Sequence, residues 1–206
     1  MTTTKRRSVK GGAGEAVDAH ERGKGYLSPG EVEKLLKAAK DGRHGDRDHA
    51  LLLLMYRHGL RVSEAINIKL SHVNLDIPHI WVQRLKGSLS TEQRIQGDDL
   101  RVLRRYLRTR TDELEWLFIS EQKTKLTRQA VNYIIRQAGE RAGLDRVNPH
   151  MLRHSCGYAL ANMGKDTRLI QDYLGHRDPR HTVRYTQTSA KRFASIWDKK
   201  PGGPQT

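Results

Sequence analysis

Four side chains able to grip or attack a phosphate fall close together late in the chain. His150, Arg153, His176 and Tyr185 lie within PHMLRHSCGYALANMGKDTRLIQDYLGHRDPRHTVRYTQ, residues 149–187. Imidazole and guanidinium donate hydrogen bonds to anionic oxygen, and a tyrosine hydroxyl becomes a nucleophile when a neighbour takes its proton. A tyrosine met singly is more often core packing. The company of two histidines and an arginine makes Tyr185 a candidate for attack on phosphorus. His154 follows His150 by four residues, a helical spacing that could ligate zinc, but no third ligand accompanies the pair. It therefore reads as structural, and no metal site is expected.

Three short helical blocks must carry these groups. Asn148-Pro149 is a helix start, because proline in the first turn lacks only an N–H that would be unpaired there anyway. Leu152, Cys156, Ala159 and Met163 recur at helical spacing as an apolar stripe, and Gly164 ends the block. His150, Arg153 and His154 then share another face. The second block covers residues 166–174, with Leu169 paired to Tyr173 and Ile170 to Leu174 on its buried side. Gly175 closes it as a left-handed cap, and His176 follows on a corner that fixes its direction. The third starts near Pro179 and carries Tyr185.

Further upstream, Arg61 stands in YRHGLRVSEAINI between two apolar segments, where a guanidinium presents a rigid fork to phosphate. Ser63 caps the short helix that follows, and Glu64 is near enough to orient Arg61. An arginine near a helix end is, taken singly, usually a dipole or salt-bridge residue. Residues 79–85 alternate as a strand, Lys86-Gly87-Ser88 turns, and residues 89–95 return. Lys86 thus sits at a hairpin tip, a place that for most lysines is plain solvated charge.

The remaining elements form the support. Ser28-Pro29-Gly30-Glu31 is a capping box, and Val32, Leu35, Leu36 and Ala39 give a helix to about residue 40. Asp46 or Asp48 opens a second helix whose residues 51–55 are apolar almost all round, hence central. Residues 98–110 read as a helix with Leu100, Leu103 and Leu107 inward and a basic stripe of Arg101, Arg104, Arg105 and Arg108. Residues 115–120 are a short extended run. Thr127 caps a helix to about residue 141, with Ala130, Val131, Ile134, Ile135 and Ala138 inward and Arg128, Asn132 and Arg136 outward. These seven polar residues are the candidates for DNA contact, against the plainer alternative of solvated helix faces.

The chain has 206 residues, 36% hydrophobic, and a formal net charge of +15, so it can bury a core and calls for a polyanionic partner. No apolar run approaches the roughly 20 residues that span a bilayer, and no signal peptide opens the chain. With a single cysteine there is no internal disulfide and no cysteine-based zinc finger. A cytoplasmic protein fits. Residues 1–25 read as a disordered basic arm, residues 26–198 as one domain, and residues 199–206 as a loose tail. Within that domain residues 189–197 form a last helix with Phe193, Ile196 and Trp197 as apolar anchors, onto its own core or a neighbouring subunit.

With Arg61, Lys86, His150, Arg153, His176 and Tyr185 in order, the chain resembles the tyrosine recombinase (phage integrase) family. The segments RHGLRVSEA, HMLRHSCGYAL, DTRLIQDYLGHR and HTVRYT are similar to those of the small recombinases that invert fimbrial promoter elements in enterobacteria. The resemblance implies the catalytic-domain fold of that family, mainly α with a small antiparallel β-hairpin. It also implies that the extra helical domain most members carry ahead of the catalytic one is missing.

The resemblance further implies that Arg61 and Arg153 clamp the non-bridging oxygens and His176 adds a donor. Tyr185 attacks, giving a 3′-phosphotyrosine and a free 5′-hydroxyl. His150 positions the phosphate and moves the tyrosine proton, and Lys86 protonates the departing 5′-oxygen. The covalent link retains the phosphodiester's free energy and the arginines supply the charge, so neither ATP, metal nor other cofactor is implied. Implied partners are double-stranded DNA with inverted-repeat sites, three further copies in a homo-tetramer that exchanges C-terminal helices, and accessory DNA-bending proteins. A type IB topoisomerase, an excision or integration recombinase of a mobile element, and a catalytically silent DNA-binding regulator are the alternatives. An RNA-binding module fits less well, since only 6% of residues are aromatic.

Overall fold

The computed structural model describes residues 25–84 and 88–187. The element that organises them is α2 (Gly45–Arg57), which packs against α1 (Pro29–Lys40), α4 (Gly97–Arg108) and α6 (Pro149–Asn162). Its Ala50, Leu51, Leu52, Leu54 and Met55 are fully buried. At about 2 kcal/mol for each large side chain taken from water, this one helix accounts for much of the cohesion of the fold. An all-round apolar sequence can be satisfied only in the middle.

Local rules set the helix starts. Ser28 Oγ accepts from the Glu31 amide while the Glu31 carboxylate accepts from the Ser28 amide at 2.7 Å, closing the capping box of α1. Thr127 caps α5 (Arg128–Arg141), Asn148 caps α6 and Asp166 caps α7 (Thr167–Leu174), each with its side-chain oxygen on a first-turn amide. Gly175 ends α7 at φ 64°, and Gly164 follows α6 at φ 76°. The last described helix is α8 (Arg180–Gln187), packed on α6 and α7 over Cys156, Ile170, Leu174 and Tyr185.

The sheet is small, antiparallel and three-stranded, in the order β1 (Val73–Asn74), β2 (His79–Val82), β3 (Thr91–Arg94). Val82 pairs with Thr91 and Ile80 with Gln93, with Ile80 and Val82 buried and Trp81 between them exposed. The hairpin was expected from residue 79 to residue 95; its paired part is shorter, and its tip at residues 85–87, Lys86 included, lies outside the described residues. So do residues 1–24 and 188–206, which hold the basic arm, the tail and the expected last helix.

Several local expectations are corrected. α3 (Val62–Ala65) is opened by Arg61, not Ser63, and the Glu64 carboxylate reaches back to the Arg61 amide at 2.9 Å. α2 begins at Gly45, with Asp46 and Asp48 already in its first turn. The stripe of α6 stops short, because Ala159 is only half-buried and Met163 is 61% exposed. On α7, Ile170 and Leu174 are buried as a pair, but Leu169 is 48% exposed and makes no buried pair with Tyr173. On α6 the stripe runs out at the helix's last turn, whereas on α7 Leu169 lies on a different face from the buried Ile170 and Leu174. No helix among the described residues is long and apolar enough to cross a membrane.

Candidate active site

Arg61 is the residue at which α2's exit loop turns into α3. Gly59, at φ 56°, permits the turn, and Leu174 leaves no space there for a Cβ. Glu64, one turn later and 2% exposed, takes the Arg61 guanidinium on Oε1 at 2.7 Å. Its second oxygen, Oε2, receives Arg84 Nη1 at 2.7 Å and lies 3.8 Å from Arg153 Nη1. Three guanidiniums around one carboxylate leave a surplus of two positive charges. Despite burial, these cations hold the Glu64 carboxyl below its ordinary value, so it is ionised at neutral pH.

Arg153, 3% exposed on α6, donates to the Gly59 carbonyl and, at 2.6 Å, to the Leu174 carbonyl at the end of α7. Burial and the neighbouring Arg61 and Arg84 bring its pKa down to about 10, still charged at neutral pH. His176 follows Gly175, and its Nδ1 is hydrogen-bonded to the buried Thr182 hydroxyl at 2.8 Å. Burial, then Arg153 and Arg61, push its pKa down to about 3, so the ring is neutral. His150, in the first turn of α6, is exposed.

These groups meet. Arg61, His150, Arg153 and His176 line one cavity of about 610 Å³, together with Ser63, Ser88, Arg128, Arg177, Asp178 and His181. It is large enough for a phosphodiester and its flanking sugars, and its walls supply donors of either fixed charge or fixed direction. Tyr185 stands beside this cavity rather than in it. Its ring is fully buried, stacked on His176 at 6.1 Å between centroids and lying flat over Gly157, where a Cβ would be 2.7 Å from the ring. Its hydroxyl is 2.9 Å from His154 Nδ1 and 3.1 Å from Arg184 Nη2.

Of the residues expected to contact DNA, Arg128 alone joins the cavity wall, at the first position of α5. Asn132 and Arg136 are exposed on the same helix, Arg136 near Glu140 at 3.7 Å and over the Tyr133 ring. On α4, Arg101, Arg104 and Arg108 are exposed, but Arg104 donates to the Leu75 carbonyl at 2.9 Å and Arg105 is ion-paired to Asp46. The last two are thus partly engaged within the fold. His154 and Arg84 are the site residues that spacing alone missed. Arg84 shares strand parity with the inward Ile80 and Val82, which was the available signal.

Residues 25–192 match the family model described as "Phage integrase family". The chain is 46% identical over 189 residues to the type 1 fimbriae regulatory protein FimB of Escherichia coli strain K12, covering 89% of this chain and 94% of FimB. It is 44% identical over 180 residues to the type 1 fimbriae regulatory protein FimE of the same strain, covering 84% of this chain and 91% of FimE. Among solved structures, that of XerA recombinase superposes with a TM-score of 0.73 at 27% identity, over 87% of this chain and 66% of that one.

Proposed function

The chain belongs to the phage integrase family, and from that premise we propose that it inverts a DNA element bounded by inverted repeats, the action of a fimbrial phase-variation switch. It is a tyrosine recombinase, an enzyme that cleaves and rejoins DNA. The support for inversion is its similarity, over nearly their whole lengths, to two proteins named as regulators of type 1 fimbriae.

The observation that carries the mechanism is the cavity in which Arg61, Arg153, His150 and His176 converge, with Glu64 fixing the first two. In this reading the scissile phosphate enters the cavity and its non-bridging oxygens take the two guanidiniums, whose charge offsets what builds up at phosphorus. Neutral His176 contributes a hydrogen bond and no charge. Tyr185 moves from its place beside His176 so that its oxygen bonds to phosphorus while the 5′-oxygen leaves. The hydroxyl proton passes to His150 or solvent, and Lys86 gives a proton to the 5′-oxygen. The 5′-hydroxyl of the exchanged strand then attacks the 3′-phosphotyrosine and releases Tyr185.

Double-stranded DNA is the partner. A homo-tetramer on paired sites, exchange of residues 189–197 between neighbours, accessory DNA-bending proteins and a cytoplasmic location complete the proposal. Arg128 serves as a phosphate contact at the cavity mouth, and Arg101, Arg104, Arg108, Asn132 and Arg136 are the outlying contacts, while Arg105 is held within the fold by Asp46.

The test is covalent trapping. End-labelled target DNA incubated with the protein in EDTA should yield a denaturation-resistant adduct, and Tyr185→Phe should yield none. A wild-type protein that never forms it, or a Tyr185→Phe variant that does, rejects the mechanism. A two-site reporter that returns excised circles and no inversions rejects the switch.

A further inference from the structure

Arg84 is a buried cation that takes no part in this mechanism. Arg84 stands two residues ahead of Lys86, and its side chain is 0% exposed. Taking a guanidinium out of water costs several kcal/mol, roughly, before compensation. The compensation is specific. Nη1 donates to Glu64 Oε2 at 2.7 Å and, more weakly, to the Gly59 carbonyl at 3.4 Å. Nη2 donates to the carbonyls of His58 at 3.0 Å and Tyr173 at 2.6 Å. The aliphatic stem lies against Gly175, where a Cβ would stand 2.9 Å from Arg84 Cγ.

Each partner belongs to a segment that carries a residue of the cavity. His58 and Gly59 form the turn that delivers Arg61. Glu64 holds the Arg61 guanidinium with its other oxygen. Tyr173 and Gly175 belong to the corner that delivers His176. Arg153 repeats the pattern one step along, donating to the Gly59 and Leu174 carbonyls. Arg84 itself does not line the cavity.

The geometry points to Arg84 as a positioning residue of the phosphate clamp, tying the Arg61 turn, the His176 corner and the strand that leads to Lys86 to one guanidinium. Stability alone does not account for it, since a well-packed apolar side chain in place of a buried ion pair is often as stable or more so. Nor does lysine substitute, because a single ammonium cannot reach a carboxylate and three carbonyls from one planar fork.

The inference rests on the recombinase reading and is tested in the full-length protein with Arg84→Met and Arg84→Lys. Three quantities are measured: single-turnover adduct formation at saturating DNA, DNA affinity, and thermal stability. The rate is measured again on DNA whose scissile phosphate carries a methyl group in place of one non-bridging oxygen. A displacement of the clamp by about 1 Å is expected to slow adduct formation about 100-fold in Arg84→Met. Affinity should stay within about threefold of wild type, because the phosphate contacts that dominate binding lie elsewhere. Arg84→Lys should recover part of the rate.

On the methyl-substituted phosphate, with one charge fewer to neutralise, the deficit should shrink. A folded Arg84→Lys or Arg84→Met protein with a wild-type rate overturns the inference, as does a deficit of equal size on both substrates. If Arg84→Met does not fold, Arg84→Lys decides. A wild-type protein without adduct overturns the recombinase reading and this inference with it; an active wild type indifferent to Arg84 overturns the inference alone.

Discussion

The hydroxyl of Tyr185 lies 2.9 Å from Nδ1 of His154, four residues beyond His150 on α6. Burial and the neighbouring Arg184 guanidinium bring the His154 pKa down to about 4, so the ring is neutral and hydrogen-bonds the phenol without carrying charge. Arg184 Nη2 closes a triangle with these two atoms, 2.7 Å from His154 Nδ1 and 3.1 Å from the phenol oxygen, to which it donates. The nucleophile is therefore seated on its own protomer by three features: His154, Arg184 and the bare backbone of Gly157.

Removing the first of these should loosen the seat. A neutral hydrogen bond contributes about 1 kcal/mol net, roughly a fivefold shift in the balance between seated and released tyrosine. His154→Ala should therefore raise the rate at which Tyr185 is nitrated by a tyrosine-selective reagent by about that factor, read by peptide mass spectrometry. An unchanged rate would show that the bond does not restrain the ring.

Gly157→Ala acts on the same seat from below. A Cβ there meets the Tyr185 ring at 2.7 to 2.9 Å, closer than contact distance, so the ring must move. Alanine favours the helix over glycine by about 0.5–1 kcal/mol, and α6 itself should not weaken. Limited proteolysis should cut residues 176–187 several-fold faster than in wild type while the helices around α2 stay protected. Equal cleavage rates would place α8's attachment elsewhere.

Three histidines predict how stability responds to acid. Burial brings His58 to about 4, His154 to about 4 and His176 to about 3, against 6.5 for the free ring. Between those values and 6.5 the unfolded chain binds protons that the folded chain refuses, so stability falls as pH drops below about 6.5. Asp99, pushed up to about 6 by burial, and Asp48, raised by the same cause, work in the opposite direction, releasing protons on unfolding, but His49 and His72 are lowered as well and add to the other three histidines. The urea midpoint should fall between pH of about 6.5 and about 5, and His58→Gln should flatten that slope. His58 is the best choice because it is 1% exposed and its Nδ1 is already bonded to Gln93 at 2.9 Å. A flat profile in the wild type would contradict the burial of these rings.

What the sequence made legible was whatever a few neighbouring residues decide. The caps at Ser28, Thr127 and Asn148 and the left-handed stop at Gly175 rest on local sterics and hydrogen bonds, and they stand as the residues implied, while Asp166, expected inside the second block, is its cap. The apolar run of α2 marked the centre because nothing else could bury it. His154 reads as structural from its spacing because its partner lies 31 residues away, and a histidine beside an arginine carries no local mark of what it touches. Arg84 is illegible for a different reason. Arginine seldom sits fully buried, and the Glu64 carboxylate and the carbonyls of residues 58, 59 and 173 that make that position tolerable come together only in the fold. The two-residue strand β1 is too short to show any alternation.

The basic surface can be divided by salt dependence. Each phosphate neutralised by the protein contributes about −0.9 to the slope of log affinity against log salt on duplex DNA. Arg128 is exposed at the cavity wall beside Arg61, so Arg128→Ala should weaken DNA binding and reduce the slope by about one unit. Arg105 is ion-paired with Asp46, bonded to His49 at 3.2 Å and only half exposed. Its positive charge is already matched within the fold, so Arg105→Ala should leave the slope unchanged and instead lower the thermal midpoint by joining α4 to α2 less firmly. Fluorescence anisotropy across a salt series decides between them. A full unit lost at Arg105 would mean that its bond to Asp46 gives way to phosphate, and α4's arginines would then belong to the DNA-binding face as a set.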